Sequence, residues 1–471
     1  MTLMSEFGHW VTLHGLIVML GLAVYVTASH TLHQRRHPSA AVAWVVALVL
    51  LPYVALPLYL MFGRRKLAQH RSTARTPPSA LRDAGPDSPA ARTQQLAAAM
   101  ALPAASTYHR LNIHDEGSQA LQVLRNMIGA ATRTLDLCTF VFASDGLGDE
   151  IAERLGQRAR EGVRVRLLVD GIGAYLGGHP SFKRLSAAGV QVTLFVPPLR
   201  STLQGRTNLR NHRKMVIADG EWFWCGGRNL ATEYFEGDSS ARDKKKPWVD
   251  LSFDLHGALA LQAQQQFDHD WEFATRGTRA RPASSIHPDW QEGAASGQLI
   301  ASGPDQVEDT LHTLLVSGFF ISRKRILAVT PYFVPEPTLL MSLTLAARRG
   351  VAVDLLMPGK SNHRLADLAR HRALRELVAA GARVWFSPRM IHAKIVVIDD
   401  ELALAGSANL DERSLFLNYE LMVAFYAKPE VARFAEWIEV QRNASTGYRP
   451  LPAGLLREIA EGLLLWLAFQ L

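Results

Sequence analysis

The sequence predicts an α/β protein of two pseudo-symmetric halves, each with a central mixed sheet flanked by helices, behind an N-terminal two-helix transmembrane hairpin. Three observations predict it. A His-x-Lys-x(4)-Asp motif with a trailing Gly-[Gly/Ser]-x-Asn occurs twice. Strand-like and helix-like segments run in the same order around both copies. Two long apolar runs open the chain.

The hairpin is expected within residues 1–66. Val11 to Ala28 is apolar apart from His14 and small polar residues, about the length of a membrane span. Ala40 to Phe62 is a 23-residue run without a charge, carrying Pro52 and Pro57, which spans tolerate. A basic n-region is lacking and the second run is too long for a cleaved signal peptide. Arg64, Arg65, Lys66 and Arg71 follow the second run, against Arg35 and Arg36 between the two. The positive-inside rule therefore puts both termini in the cytoplasm. Residues 67–106 are rich in Ala, Pro, Ser and Arg and read as a linker.

The first half is expected over 107–290. Its order is a helix at Ala120 to Ala131, a strand at Leu135 to Phe142, a helix at Leu147 to Arg160 and a strand at Val163 to Val169. The second half, 291–450, repeats it: helix Asp309 to Phe319, strand Ile326 to Thr330, helix Pro337 to Arg349, strand Val351 to Met357. Gly189 to Val192 and Gly381 to Val384 are equivalent again, just ahead of the duplicated motif. Such alternation implies α/β halves. The tail, 451–471, contains the apolar run Leu455 to Phe469; an interfacial amphipathic helix anchored by Trp466 and packing against the catalytic region are both open.

The motif carries the chemistry. Its copies are His212-Arg213-Lys214, Asp219, Gly226-Gly227-Arg228-Asn229 and His392-Ala393-Lys394, Asp399, Gly406-Ser407-Ala408-Asn409. The interval from His to Asn is 17 residues in both. Ile391 to Ile398 is β-branched and reads as a buried strand, so His392 and Lys394 are expected on one face, as are His212 and Lys214. Face to face, two units supply two imidazoles, two ammonium groups and two amides around one anion. One imidazole can attack phosphorus while the other protonates the leaving alkoxide. Lysines and asparagines can hold the non-bridging oxygens as charge builds. Asp219 and Asp399, at the strand ends, are expected to orient an imidazole rather than bind a metal.

Composition fits. The chain has 51 Lys+Arg against 43 Asp+Glu and a pI near 9.6, which suits nucleic acid or an anionic membrane surface; the apolar N-terminus selects the membrane. Its two cysteines, Cys138 and Cys225, lie in apolar strand-like runs and are expected buried and reduced, and no metal-ligand spacing is present.

The motif pair resembles the HKD motifs of the phospholipase D superfamily, and the surrounding sequence is similar to its bacterial cardiolipin synthases. The residues that carry the resemblance are Leu209 to Lys214, Gly226-Gly227, Glu233-Tyr234, Thr330 to Pro335 and Gly406 to Glu420. It covers essentially the whole chain. Where that branch reads Trp-Arg-Asp-x-His, this chain has Trp248-Val249-Asp250-Leu251-Ser252, preceded by Lys244-Lys245-Lys246. The resemblance implies a multi-pass protein of the bacterial inner membrane that makes cardiolipin and glycerol from two phosphatidylglycerol molecules. It implies a phosphohistidine intermediate and needs neither cofactor nor metal. His212, Lys214, Asp219, His392, Lys394 and Asp399 are then catalytic, with His212 as nucleophile. Asn229, Asn409, Gly227, Ser407, Arg210, Glu233, Arg413 and Glu420 are expected around the substrate. Hydrolysis by the same residues and transfer to another lipid alcohol such as phosphatidylethanolamine are the alternatives; nucleic acid is not an expected partner.

Overall fold

The computed structural model describes residues 2–31, 38–63, 88–178, 180–197, 207–237, 246–276 and 295–450, together with 452, 454, 458, 461 and 462. The first-half strands are β1 Ser106–His114, β2 Thr134–Thr139, β3 Arg164–Asp170, β4 Gln191–Phe195, β5 Arg210–Asn211, β6 Met215–Ala218, β7 Trp222–Gly226 and β8 Ser252–His256. Those of the second half are β9 Ala295–Ser302, β10 Arg325–Val329, β11 Phe333–Val334, β12 Ala352–Pro358, β13 Arg383–Ser387, β14 Ile395–Ile398, β15 Leu402–Gly406, β16 Leu410–Asp411, β17 Asn418–Phe425 and β18 Thr446–Gly447.

One sheet runs through both halves in the order β18-β13-β12-β10-β14-β15-β17-β9-β1-β8-β7-β6-β2-β3-β4. Leaving β18 aside, it is a palindrome about the antiparallel β9–β1 seam, where Ser106 pairs with Gly297 and Tyr108 with Ala295. In each half a parallel trio (β2, β3, β4 or β10, β12, β13) borders an antiparallel meander.

Both faces of the sheet are covered, which explains the uninterrupted apolar strands. On one face a core shared by the halves includes Cys138, Phe253, Ile395, Val397 and Phe425; the helices Ala258–Arg276 and Lys428–Asn443 close it with Phe267 and Phe434. On the other face each half has its own core. The first is built on the helices Gly117–Ala130 and Gly146–Arg160, the second on Thr310–Ile321, Pro337–Arg348 and His371–Ala379. Val396 and Ile398 point there while Ile395 and Val397 point to the shared core, the two-residue period of a strand. Both cysteines are free and buried.

Three expectations change. The linker, placed at 67–106, gives way from Ser88 on to a packed helix, Pro89–Ala99. The Ser88 hydroxyl caps it by accepting from Ala91 N at 3.2 Å, and Ala97 is buried with Leu102 and Leu311. Small side chains that carry little apolar signal still let a helix approach its neighbour closely. Residues 67–87 lie outside the described set.

The second apolar run is not one helix. It divides at Leu51 (φ −134°, ψ 52°) into Pro38–Leu50 and Pro52–Phe62, because the proline that follows disfavours helical backbone at Leu51. Both pieces lie against Thr2–Thr31, with Gly21 beside Leu48 and the Tyr25 and Tyr59 rings 5.5 Å apart. Among the described residues no helix is long and apolar enough to cross a membrane.

The duplicated motif, thirdly, is only partly strand. β6 and β14 begin after Lys214 and Lys394, and each His-x-Lys segment runs between its own sheet and the opposite half. Most of the tail, Trp466 included, lies outside the described residues; Glu461 is buried and ion-paired with Arg375.

Candidate active site

Each histidine is held by the other half. β5 pairs in parallel with the start of β17, so His212 N donates to Tyr419 O at 2.9 Å. The matching bridge joins Val249 and Ile391, and His392 N donates to Val249 O at 2.7 Å. The next residue of each partner segment is acidic. His212 Nδ1 lies 2.9 Å from Glu420 Oε1, and His392 Nδ1 lies 2.8 Å from Asp250 Oδ2. An ionised carboxylate only accepts, so each Nδ1 carries the proton and Nε2 keeps its lone pair. Aromatic rings wall the imidazoles: Phe140 lies 5.1 Å from His212, and Tyr234 and Trp248 lie 5.1 and 5.5 Å from His392.

The lysines fold back on their own motifs. Lys214 Nζ donates to His212 O at 2.7 Å, while Lys394 Nζ bonds His392 O and lies 3.0 and 3.1 Å from Nδ1 and Nε2 of the His392 ring. Asn229 is fixed by Tyr234 Oη at 2.8 Å and Val141 N at 3.2 Å. Asn409 Oδ1 is buried without a hydrogen-bond partner. At the Gly/Ser position, a Cβ on Gly227 would meet Asp250 Oδ1 at 2.3 Å, whereas Ser407 Oγ donates to Glu420 Oε2 at 2.5 Å. The pocket that receives the shorter aspartate thus has room for glycine alone, while the serine adds a bond to the glutamate.

Burial sets the charges. It pushes His212 down to about 4 against the pull of Glu420, and Lys214 and Lys394 depress it further. His392 falls to about 3 through burial and Lys394, opposed by Asp250, with Lys214 also felt. The lysine of each half therefore acts on the histidine of the other, as convergence on one site requires. Burial also lowers Lys214 to about 8 and Lys394 to about 7. It would raise Asp250 and Glu420, but their histidine partners hold both below the usual carboxylate range.

A pH dependence follows. In the unfolded chain a histidine titrates near pH 6.5. Between about pH 6.5 and 4 the unfolded state binds a proton that folded His212 refuses, so stability falls as pH falls through that window. The loss is on the order of a few kcal/mol. His212→Asn removes this term while its amide can still donate to Glu420. Urea midpoints in detergent at pH 7 and 4.5 should lie closer together in the variant than in the parent.

Asp219 and Asp399 are not brought to the histidines, which corrects the orienting role expected for them. The Asp219 carboxylate accepts from the backbone N–H groups of Thr132, Arg133 and Thr134 at 2.7–2.8 Å. Asp399 accepts from Arg323, Lys324 and Arg325. Both adopt left-handed backbone (φ 56° and 53°), which aspartate tolerates in a tight turn. They tie the motif hairpin to the entry of β2 or β10. Asp219→Ala should cost about 2 kcal/mol of stability, from several N–H groups losing a charged acceptor. Turnover per folded molecule should stay within about three-fold, a residue outside the site acting through stability alone; thermal melts and active-site titration check both.

The remaining expected residues divide. Glu420 belongs to the histidine rather than to substrate. Arg210 is buried, its guanidinium donating to Thr207 O at 2.6 Å and Val196 O at 3.2 Å. Arg413 donates to Asn208 Oδ1 at 3.1 Å. Glu233 accepts from Trp248 N through its carbonyl at 2.9 Å.

Sequence reasoning missed Asp250 and Arg213. Asp250-Leu251 and Glu420-Leu421 occupy the same place at the head of β8 and β17, a second duplication that the lone acidic position conceals. Arg213 is fully buried between the motif residues. It bonds Asp270, Ser302 O (3.2 Å) and Glu420 O (3.0 Å) and lies over the Tyr419 ring. The donor atoms of His269, Asp270 and Asp305 lie within 4.8 Å of one another, and the Arg213 cation already pairs with that cluster.

Comparison with known proteins agrees with this geometry. The chain matches the family described as cardiolipin synthase, phospholipase D-like domain, over residues 124–271 and 320–441. It also matches the phospholipase D-nuclease N-terminal family over residues 20–64. It is 30% identical over 425 residues to cardiolipin synthase A of Pseudomonas aeruginosa, covering 86% of this chain and 85% of that protein. Against cardiolipin synthase 1 of Bacillus cereus it is 30% identical over 428 residues, covering 84% and 82%. A phosphatidylserine synthase of Haemophilus influenzae shares the fold, with a TM-score of 0.62 and 14% identity over 81% of this chain and 100% of that one.

Proposed function

The chain belongs to the cardiolipin synthase family of phospholipase D-like proteins, and from that premise we propose that it joins two phosphatidylglycerol molecules into cardiolipin and glycerol. The observation that carries this reading is the crossed pair of carboxylate–histidine contacts, Glu420–His212 and Asp250–His392.

His212 is neutral at physiological pH, its Nδ1–H directed to Glu420 and its Nε2 lone pair free to attack phosphorus. The N–P bond forms as the bond from phosphorus to the leaving glycerol oxygen breaks, and His392 gives that oxygen a proton. Burial and the lysines keep His392 deprotonated in the empty site. The phosphodiester anion, entering beside Lys214 and Lys394, offsets those cations, and His392 takes up from solvent, at Nε2, the proton that it then gives to the leaving oxygen. His392 then takes the proton from the hydroxyl of a second phosphatidylglycerol. That oxygen attacks phosphorus, and the N–P bond breaks. One phosphodiester is lost and one gained, so the histidine linkage conserves the bond energy between the steps. In this reading Lys214, Lys394, Asn229 and Asn409 hold the non-bridging oxygens.

Membrane attachment belongs to this reading. Two observations support an N-terminal membrane anchor: large apolar side chains such as Leu16, Met19, Val42 and Val54 are exposed along the packed N-terminal helices, and a family segment matches residues 20–64. The halves 107–290 and 291–450 act as the two repeats of the catalytic region.

Mass spectrometry of lipids after incubation with phosphatidylglycerol in mixed micelles tests the proposal. Cardiolipin with an equal yield of glycerol is the expected result. Phosphatidic acid without cardiolipin would instead make water the acceptor.

A further inference from the structure

Two short helices occupy equivalent places in the halves, and both present large apolar side chains to solvent. Gly171–Leu176 follows β3 and exposes Tyr175 (63%) and Leu176 (64%). Arg364–Ala369 follows β12 and exposes Leu365 (45%) and Leu368 (49%). Each is locked to one side of the catalytic site. Asp170, which caps the first helix, also accepts from Asn211 N at 2.9 Å, next to His212. Gly173 of that helix lies against Phe140, whose ring faces His212; a Cβ there would meet the Phe140 carbonyl at 1.7 Å. The second helix buries Ala366 and Ala369 with Tyr332 and Val334. Val334 belongs to β11, which pairs with β16 directly after Asn409. The chemistry thus lies between two apolar points.

Charge accompanies them. Lys183 and Arg184 are exposed just beyond the first helix, and Lys360, Arg364 and Arg372 in and around the second. The acidic residue of the second helix, Asp367, is occupied by Arg370 and by Ser361 N. Apolar side chains ringed by exposed cations are the composition that binds an anionic bilayer surface.

We propose that Tyr175, Leu176, Leu365 and Leu368 form a two-point rim that seats the mouth of the site on a bilayer of anionic phospholipid. With the rim immersed, a lipid headgroup reaches the histidines while its acyl chains stay in the membrane. The proposal rests on the lipid-substrate reading above and adds the face that meets the bilayer.

Spin labelling tests it on the full chain. The two native cysteines are buried, so a cysteine at Leu176→Cys or Leu368→Cys takes the nitroxide selectively. Val440→Cys is the control: it is exposed and adjoins Glu439, which pairs with Arg325 at the start of β10, away from the site. In vesicles containing phosphatidylglycerol, labels at 176 and 368 should gain accessibility to oxygen and lose it to an aqueous nickel chelate, while the label at 440 stays aqueous. Aqueous behaviour at both rim positions would overturn the proposal. So would immobilisation with dipolar broadening but no oxygen gain, which marks a second copy seated there. Leu176→Asp combined with Leu368→Asp should lower turnover of vesicle phosphatidylglycerol by about ten-fold or more. Turnover of monomeric dihexanoyl phosphatidylglycerol should be unchanged. Depth readings need no product, so immersed labels without cardiolipin would sink the functional reading and leave the rim standing.

Discussion

A His392→Asn protein should bond covalently to an activated donor at His212 while turning over at about a thousandth of the parental rate or less. The donor is a phosphatidyl ester of p-nitrophenol, whose leaving group departs without a proton. His212 keeps its Glu420 partner and its backbone bond to Tyr419, so attack on phosphorus survives. What is lost is the acid for an ordinary alkoxide and the base for the acceptor hydroxyl. His212→Asn should lose turnover to the same degree and trap nothing. Peptide mapping of an acid-labile, radiolabelled adduct separates the cases. An adduct on His392 in the His212 variant, and none in the reverse experiment, would exchange the two roles.

The second large effect concerns the carboxylates. Glu420→Gln and Asp250→Asn keep shape but end the carboxylate's hold on the Nδ1 proton, so the imidazole can present an N–H where a lone pair is needed. Each should lower turnover by up to about ten-thousand-fold, the loss seen when a triad aspartate is amidated. They should differ in step. Glu420→Gln should block adduct formation from the activated donor, because its histidine is the nucleophile. Asp250→Asn should permit the adduct and block its transfer to an acceptor. Equal adduct yields from both variants would count against the pairing of carboxylate to role.

How much of this was legible varies by residue. His212, Lys214, His392 and Lys394 declare themselves through a repeated spacing, and strand and helix order followed from apolar periodicity to within a few positions. The helix Pro89–Ala99 was hidden because alanine and threonine bury well without advertising a face. Asp219 and Asp399 misled for a physical reason. A carboxylate at a fixed distance from a histidine in sequence need not be near it in space, and a left-handed turn carried both back to the sheet edge. The true partners, Asp250 and Glu420, lie 38 and 28 residues beyond their own motif's histidine, and each serves the opposite one. No local window contains that exchange, since it arises only when the halves meet.

The crossed arrangement gives the molecule the logic of a two-key lock. Neither repeat contains a working histidine by itself, because each lends its carboxylate and a backbone acceptor to the other. A repeat released early, during synthesis or by a proteolytic nick, would carry a complete-looking motif and no catalytic power. A lone motif would present an imidazole without the carboxylate that orients it. Both carboxylate–histidine pairs are complete only where the two halves meet, so the site is assembled when both have folded and closed against each other.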